Sequence, residues 1–211
     1  MFWDKAAPLY DLFETLYNGK VFNGTGAKVA EFVNAGDKVL ECACGTGAIS
    51  VFIAKKGCDL TATDFSDGML VQAKKKCRKF SNAVFEKADI TALRFDDNSF
   101  DAVVAGNVIH LLPEPDKALL ELFRVTKSGG KVIVPTYINM SKGTGKVAVK
   151  FIEKLGANFN RQFDLESYKK FFADMGVTGV EYFVVEGRMP CAIAVMGKHI
   201  SKVYTSNICF Q

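Results

Sequence analysis

An apolar run, Lys38-Val39-Leu40-Glu41-Cys42, ends in an acid and passes directly into Ala43-Cys44-Gly45-Thr46-Gly47. A glycine-rich turn after a strand lets the backbone approach a ligand, and a following helix offers free amides at its start. The first chemistry to weigh is therefore nucleotide binding. Two details count against a phosphate-bearing dinucleotide. The fingerprint for such a ligand needs a third glycine at position 50, which is Ser50. The Glu41 carboxylate would also face the pyrophosphate, at a cost of about 1 kcal/mol if well screened and several kcal/mol in a desolvated cleft. An ammonium or sulfonium is favoured in its place.

S-adenosylmethionine carries both cations and no phosphate. The run Val39 to Gly47 resembles motif I of the class I S-adenosylmethionine-dependent methyltransferases, whose usual form is acidic-x-Gly-x-Gly-x-Gly; Ala43 replaces the first glycine. An alanine is harmless there if its dihedrals are ordinary and matters if positive φ is required. The similarity extends from about Tyr10 to Gly197 and is greatest to the small-molecule branch that includes ubiquinone and menaquinone biosynthesis enzymes. Seventeen residues beyond Gly47, Asp64 closes the next apolar run, where an acid can accept both ribose hydroxyls; a helix N-terminal acid is the plainer reading.

The resemblance implies further contacts. Phe65 and Met69, in Asp-Phe-Ser-x-x-Met-Leu, would flank the adenine. Asp89-Ile90 resembles the family's adenine-recognition pair, and Ala105 and Asn107 would border the methionine moiety beside the glycine-loop residues Gly45 and Gly47. Tyr10, in Ala7-Pro8-Leu9-Tyr10-Asp11, matches a recurrent Tyr-Asp of the branch; it would close over the cofactor or serve as a core aromatic. Methyl transfer from a sulfonium leaves a neutral thioether, here S-adenosyl-L-homocysteine, so alignment supplies most of the acceleration and a base is optional. His110 is the candidate base, with a satisfied polar residue at a strand end as its alternative.

Absences narrow the acceptor. No Asn/Asp-Pro-Pro-Tyr/Phe follows the fourth apolar run, and no double-glutamate loop of the protein-arginine type is present. The formal charge of +4 is mild and scattered, so no nucleic-acid partner is expected. The basic cluster Lys74 to Lys79 reads as a solvated helix face. A small-molecule substrate remains, with Tyr137, Phe151, Phe159 and Phe163 as candidate lining or core aromatics. Cys42-x-Cys44 raises a thiol-based metal or metalloid site, but no second Cys/His pair has zinc-like spacing, and no metal is expected. The rival functions are a non-catalytic adenosyl-binding module and an NAD(P)-dependent oxidoreductase.

The elements that must position these residues alternate between apolar runs and helical patterns, which predicts an α/β fold with a mostly parallel sheet. Strands are expected at 38–42, 59–63, 83–86, 100–105 and 130–135. Helices are expected from Ala48 to Lys56, Asp67 to Lys79 and Pro115 to Thr126, with Gly57 and Gly129 as stops. A Gly-rich turn at 141–145, helices at 146–155 and 164–175, and strands near 180–186 and 191–197 follow; the link Gly187-Arg188-Met189-Pro190 suits an antiparallel hairpin. The whole predicts a Rossmann-like three-layer sandwich with a seven-stranded sheet. Its 211 residues form one domain: capping helices at 1–35, a cofactor core at 36–136, substrate-side elements at 137–198 and a tail at 199–211. No apolar window is long enough for stable membrane insertion, no secretory leader is evident, and six dispersed cysteines need no disulfides, so a cytoplasmic location is expected.

Overall fold

A computed structural model describes residues 2–138 and 160–198. The elements run α1 (Phe2–Val29), β1 (Lys38–Cys42), α2 (Ser50–Lys56), β2 (Asp59–Asp64), α3 (Asp67–Cys77), β3 (Ala83–Lys87), β4 (Phe100–Ala105), α4 (Pro115–Val125), β5 (Thr126–Tyr137), α5 (Leu165–Asp174), β6 (Glu181–Val185) and β7 (Cys191–Gly197). The turn at 141–145, the helix at 146–155, Phe151, Phe159 and the tail at 199–211 lie outside the described residues.

The seven strands form one sheet in the order β3-β2-β1-β4-β5-β7-β6. The pairs β1–β2, β1–β4, β2–β3 and β4–β5 are parallel, while β7 runs antiparallel to both β5 and β6. From β1 the chain winds outward through β2 and β3, then returns to β4 on the other side. The crevice between β1 and β4 is therefore the switch point where such sheets bind ligands. One face buries Leu119, Leu122, Tyr168 and Phe172 from α4 and α5 against Leu40, Val103 and Val132; the other buries Val21, Ile53 and Ala73 from α1, α2 and α3 against Val39, Leu60 and Val104. Helices on both faces make the expected three-layer sandwich.

Local chemistry sets the ends. Gly57 stops α2 at φ 89°, its amide donating to the Ala54 carbonyl at 3.1 Å. Ser66 caps α3 by accepting from the Met69 amide at 3.2 Å, and Asp164 and Ser167 form a reciprocal box at the start of α5. Gly129 does not stop α4: that helix ends at Val125, capped by the Thr126 amide on the Leu122 carbonyl. Gly129 lies inside the longer β5, and its φ of 78° lets its amide donate to the Lys198 carbonyl at 2.7 Å. The two helices expected before the first strand are joined into α1, broken at Asn18 (φ −140°). There the Asn18 amide nitrogen donates to the Met189 carbonyl at 2.8 Å and its oxygen accepts from the Met189 amide at 3.3 Å, tying the break to the β6–β7 hairpin.

Arg124 fixes the long loop between β3 and β4, which begins beside Asp89 and Ile90. Its guanidinium donates to the Leu93 and Phe95 carbonyls, both at 2.8 Å, while its neighbour Glu121 accepts from the Leu93 amide at 2.8 Å. The Arg124–Glu121 pair at 2.7 Å preorients the fork. Removing a charged donor from two carbonyls costs on the order of 2 kcal/mol, more than a surface ion pair with Asp97 contributes. Arg124→Ala should lower the unfolding free energy in urea by about 2 kcal/mol. A loss below about 0.5 kcal/mol would show that the loop is held by something else.

Candidate cofactor site

The register at the switch point places Glu41 of β1 opposite Ala62 of β2 and Val104 of β4, one residue before the strand ends. The side chain is fully enclosed, and burial pushes its carboxyl up to about 8. Ser50, at the first turn of α2, opposes this by donating its hydroxyl to Glu41 Oε2 at 2.5 Å. Asp64 pushes the carboxyl further up and Lys76 pulls it down. A cation placed beside Glu41 would restore the carboxylate, which is what a buried acid demands when no basic side chain among the described residues pairs with it directly.

The loop that follows is shaped by three left-handed residues: Ala43 (φ 52°), Gly45 (φ 54°) and Gly47 (φ 82°). Ala43 therefore does not have the ordinary dihedrals under which its methyl would be harmless. The loop's handedness requires positive φ at this position, at about 1–2 kcal/mol for a residue with a Cβ. Gly47 is required for another reason as well, since a Cβ there would stand 3.1 Å from the Ala73 Cα of α3. Gly45 donates its amide to Asp64 Oδ2 at 2.8 Å, while Asp64 Oδ1 accepts from the Ser66 amide at 2.8 Å. Asp64 thus ties the ends of β1 and β2 together; burial raises its pKa and these backbone amides lower it. The ribose reading and the local-cap reading are compatible, because each carboxylate oxygen has lone pairs to spare.

A cavity of about 540 Å³ opens along this edge, within the roughly 300–1,000 Å³ usual for small-ligand sites. It brings together Glu41, Ala43, Gly45, Asp64, Phe65, Met69, Asp89, Ile90 and Asn107. Phe65 stands 55% exposed at its rim, with Lys87 over the ring at 5.7 Å, whereas Met69 is buried. Asp89 bends back so that one oxygen accepts from both the Thr91 amide and hydroxyl, at 2.8 and 2.7 Å. Asn107 adopts φ 53°, a left-handed conformation that asparagine tolerates. Gly47 and Ala105 lie behind the wall, as does Phe163, which packs on Tyr168 in the core. Tyr10 belongs to α1, but its side chain lies outside the described residues.

His110 is not on the wall either. It is 6% exposed and hydrogen-bonded through Nδ1 to Thr136 Oγ1 at 2.9 Å; burial lowers its pKa to about 4, so the ring is neutral near pH 7. Cys42 and Cys44 face opposite sides of the sheet, one in each core cluster, and burial pushes the Cys42 thiol up to about 12. Among the described residues no group of three His, Cys, Asp or Glu side chains converges as a metal site. Neither is any described helix long and apolar enough to cross a membrane.

Sequence reasoning expected capping helices at 1–35 with Tyr10 over the cofactor, but missed Trp3, Phe22 and Thr25 as lining residues and the role of Ser50. Trp3, Phe22 and Thr25 line the cavity, and the first half of α1 is docked by Asp4, which accepts from the Ser66 hydroxyl at 2.6 Å and the Gly68 amide at 3.1 Å. These two donors hold the Asp4 carboxyl down to about 2. Gly68 permits the contact, since a Cβ there would stand 2.7 Å from the Asp4 Cα. The Gly-x-Gly at 24–26 is the only local signal that the second half of α1 comes close. Four acidic side chains, Glu41, Asp64, Asp89 and Glu114, are among the described lining residues, and no Lys, Arg or His is.

Two measurements follow from this geometry. Because the folded pKa of Glu41 lies above its unfolded value of 4.5, its contribution to stability is complete below pH 4.5 and is lost as pH rises toward 8. Glu41→Gln should therefore gain stability relative to the unsubstituted chain across that window, by roughly 5 kcal/mol at most, in denaturant titrations. A pH-independent difference would contradict the raised pKa. Ala43→Gly relieves the left-handed cost but frees the unfolded chain, so its melting temperature should stay level or rise by a few degrees; a clear fall would remove the strain at Ala43.

Comparison with known proteins bears on this site directly. Residues 40–134 match the family described as methyltransferase domain. Over 143 residues, 67% of this chain, the sequence is 39% identical to a demethylmenaquinone methyltransferase of Renibacterium salmoninarum, 59% of which is covered. It is 32% identical over 146 residues, 65% of the chain, to a phosphatidylethanolamine N-methyltransferase of Cereibacter sphaeroides, 71% of which is covered. The chain spans about half the length of several curated relatives it matches, as little as 43%. In structure, a putative methyltransferase solved with a methyltransferase activator of Haloferax volcanii superposes with a TM-score of 0.74 at 19% identity, covering 93% of this chain and 97% of that one. A matched sequence that contains the acidic strand end, the glycine loop and the switch-point cavity leaves one conclusion: the chain belongs to the S-adenosylmethionine-dependent methyltransferases.

Proposed function

We propose that this chain transfers the methyl group of S-adenosylmethionine to a small, largely apolar acceptor. The observation that carries the reading is the cavity at the β1–β4 switch point, which has four acidic side chains and no basic one among its described lining residues. Such a wall selects a cation and disfavours a pyrophosphate, which argues against a nicotinamide dinucleotide. When bound, the cofactor supplies a methyl on a sulfonium sulfur, transferred by in-line displacement with a neutral thioether leaving.

In this reading the residues divide along the cavity. Glu41 faces the ammonium, with Ser50 holding the carboxylate in place. Gly45 and Ala43 bring the backbone close, Gly47 lets α3 support that loop, and Asp64 accepts from the ribose hydroxyls. Phe65 and Met69 flank the adenine, whose edge meets Asp89 and the Ile90 amide. Asn107 borders the methyl-bearing end, with Ala105 behind it. His110 acts as a neutral strut on Thr136 rather than as a base, since its ring is away from the wall and its pKa is far below neutrality. The chain then works by alignment and by excluding water, with no base from His110.

Support for an apolar acceptor comes from the remaining wall, Trp3, Val108, Leu111, Leu112, Pro113 and Tyr137. The relatives named for demethylmenaquinone and for phosphatidylethanolamine point the same way. Between these, the quinone class has more of the relatives, and a reduced quinone is the first acceptor to test.

S-adenosylmethionine and S-adenosylhomocysteine should raise the melting temperature while NAD and NADP do not; a shift with the dinucleotides alone would sink the reading. Asp64→Ala should weaken cofactor binding at least about tenfold, or 1.5 kcal/mol, by calorimetry. Unchanged affinity would remove Asp64 from the ribose. A labelled methyl-transfer screen should place activity on demethylated quinols; turnover of none of the small apolar acceptors would leave an adenosyl-binding module.

A further inference from the structure

The second half of α1 packs closely on β6 and α2, and two glycines allow it. A Cβ on Gly24 would stand 2.8 Å from Val185 Cγ1 of β6, and one on Gly26 would stand 2.4 Å from the Phe52 ring of α2. Gly187 extends the same fit, since its Cβ would meet Val21 Cγ2 at 2.3 Å. Between the two helix glycines sits Thr25, 2% exposed and on the cavity wall. Its Oγ1 is the one buried side-chain nitrogen or oxygen among the described residues that has no hydrogen-bond partner. A helical threonine has its own preceding-turn carbonyl within reach, yet this enclosed hydroxyl, on a residue that lines the cavity, makes no such bond.

The neighbours say which end of the ligand it would meet. Phe22, one turn earlier on α1, lies 5.6 Å from the Lys76 ammonium, and Lys76 donates to Thr46 Oγ1 at 3.2 Å in the glycine loop. The Phe22–Thr25 turn therefore stands beside the loop that follows Glu41. An amino-acid end held there has two charges to satisfy. Glu41 answers the ammonium; the carboxylate needs donors, and no lining residue that is described carries a basic side chain. Lys76, behind Thr46, lowers the Glu41 carboxyl and makes the potential in this corner less negative.

We propose that Thr25 donates its hydroxyl to the carboxylate of the cofactor's amino-acid end, so that α1 is a cofactor-binding element as well as a cover. This rests on the adenosyl reading of the cavity. Burying an unpaired hydroxyl is unfavourable in the free protein and is reversed when a charged acceptor arrives, so the role costs stability and returns affinity.

The test compares two ligands that share the adenosyl thioether: S-adenosylhomocysteine, which has the amino-acid end, and 5′-methylthioadenosine, which lacks it. Thr25→Val keeps the shape and removes the hydroxyl; Thr25→Ser keeps the hydroxyl. By calorimetry Thr25→Val should bind S-adenosylhomocysteine about tenfold more weakly and 5′-methylthioadenosine unchanged, with Thr25→Ser within about threefold of the unsubstituted chain on both. The ligand-free melting temperature of Thr25→Val should not fall, which separates lost contact from lost fold. Equal affinity of Thr25→Val for S-adenosylhomocysteine, an equal loss on both ligands, or no recovery in Thr25→Ser would each overturn the assignment. Failure of the unsubstituted chain to bind either ligand would overturn the cofactor reading itself, and Thr25 with it.

Discussion

A carboxyl group at the end of a fully buried strand is the constraint on which the rest of this site depends. Glu41 cannot be solvated where it stands, and Ser50 meets it through its hydroxyl and its backbone, with no basic side chain among the described residues of the cavity wall. Desolvation therefore dominates, and the carboxyl stays protonated to well above its ordinary range. A buried acid kept in this condition is expensive to the fold unless something uses it. The geometry of the sheet supplies the use: the strand order reverses between β1 and β4, so the Glu41 carboxyl opens onto the crevice where a ligand must lie.

Neighbouring features follow from that placement. The backbone after Glu41 turns through three left-handed residues so that it clears the ligand, and Asp64 cross-links the turn to the end of β2. Close helix packing then builds the walls, through Gly47 against α3, Gly68 against Asp4, and Gly24 and Gly26 against β6 and α2. Each glycine removes a side chain where two backbones or a ring must meet. The cavity is thus a product of close approach on one face of the sheet, while α4 and α5 fill the other face with ordinary apolar packing.

How much of this the sequence shows depends on the range of the interaction. The strands and the hairpin are legible because alternation and short links are local signals, and Glu41 and Asp64 are legible because they sit at strand ends, Gly45 because it lies in a glycine-rich turn just after one. Gly129 misleads for a physical reason: positive φ suits both a helix stop and an irregular strand, and here the carbonyl of Lys198 decides between them. Ala43 shows the opposite failure, a non-glycine residue where the turn still demands positive φ. Trp3, Phe22 and Thr25 are hidden because their positions depend on contacts across the fold, such as Asp4 with Gly68, and no periodicity in α1 marks which face meets the cavity. Ser50 is conspicuous in the sequence only as a missing glycine; its bond to Glu41 appears when α2 is set against β1.

The central claim is that a buried, protonated Glu41 is converted to a carboxylate by the cation it receives. The most direct measurement is calorimetric titration with S-adenosylmethionine at pH 6.5, repeated in two buffers of different ionisation enthalpy. At that pH the ligand's amino group is already charged, whereas Glu41, pushed up to about 8, is not. Binding should release about one proton to the buffer, and Glu41→Gln should release none. Binding without proton release, or a release that survives in Glu41→Gln, would contradict the account.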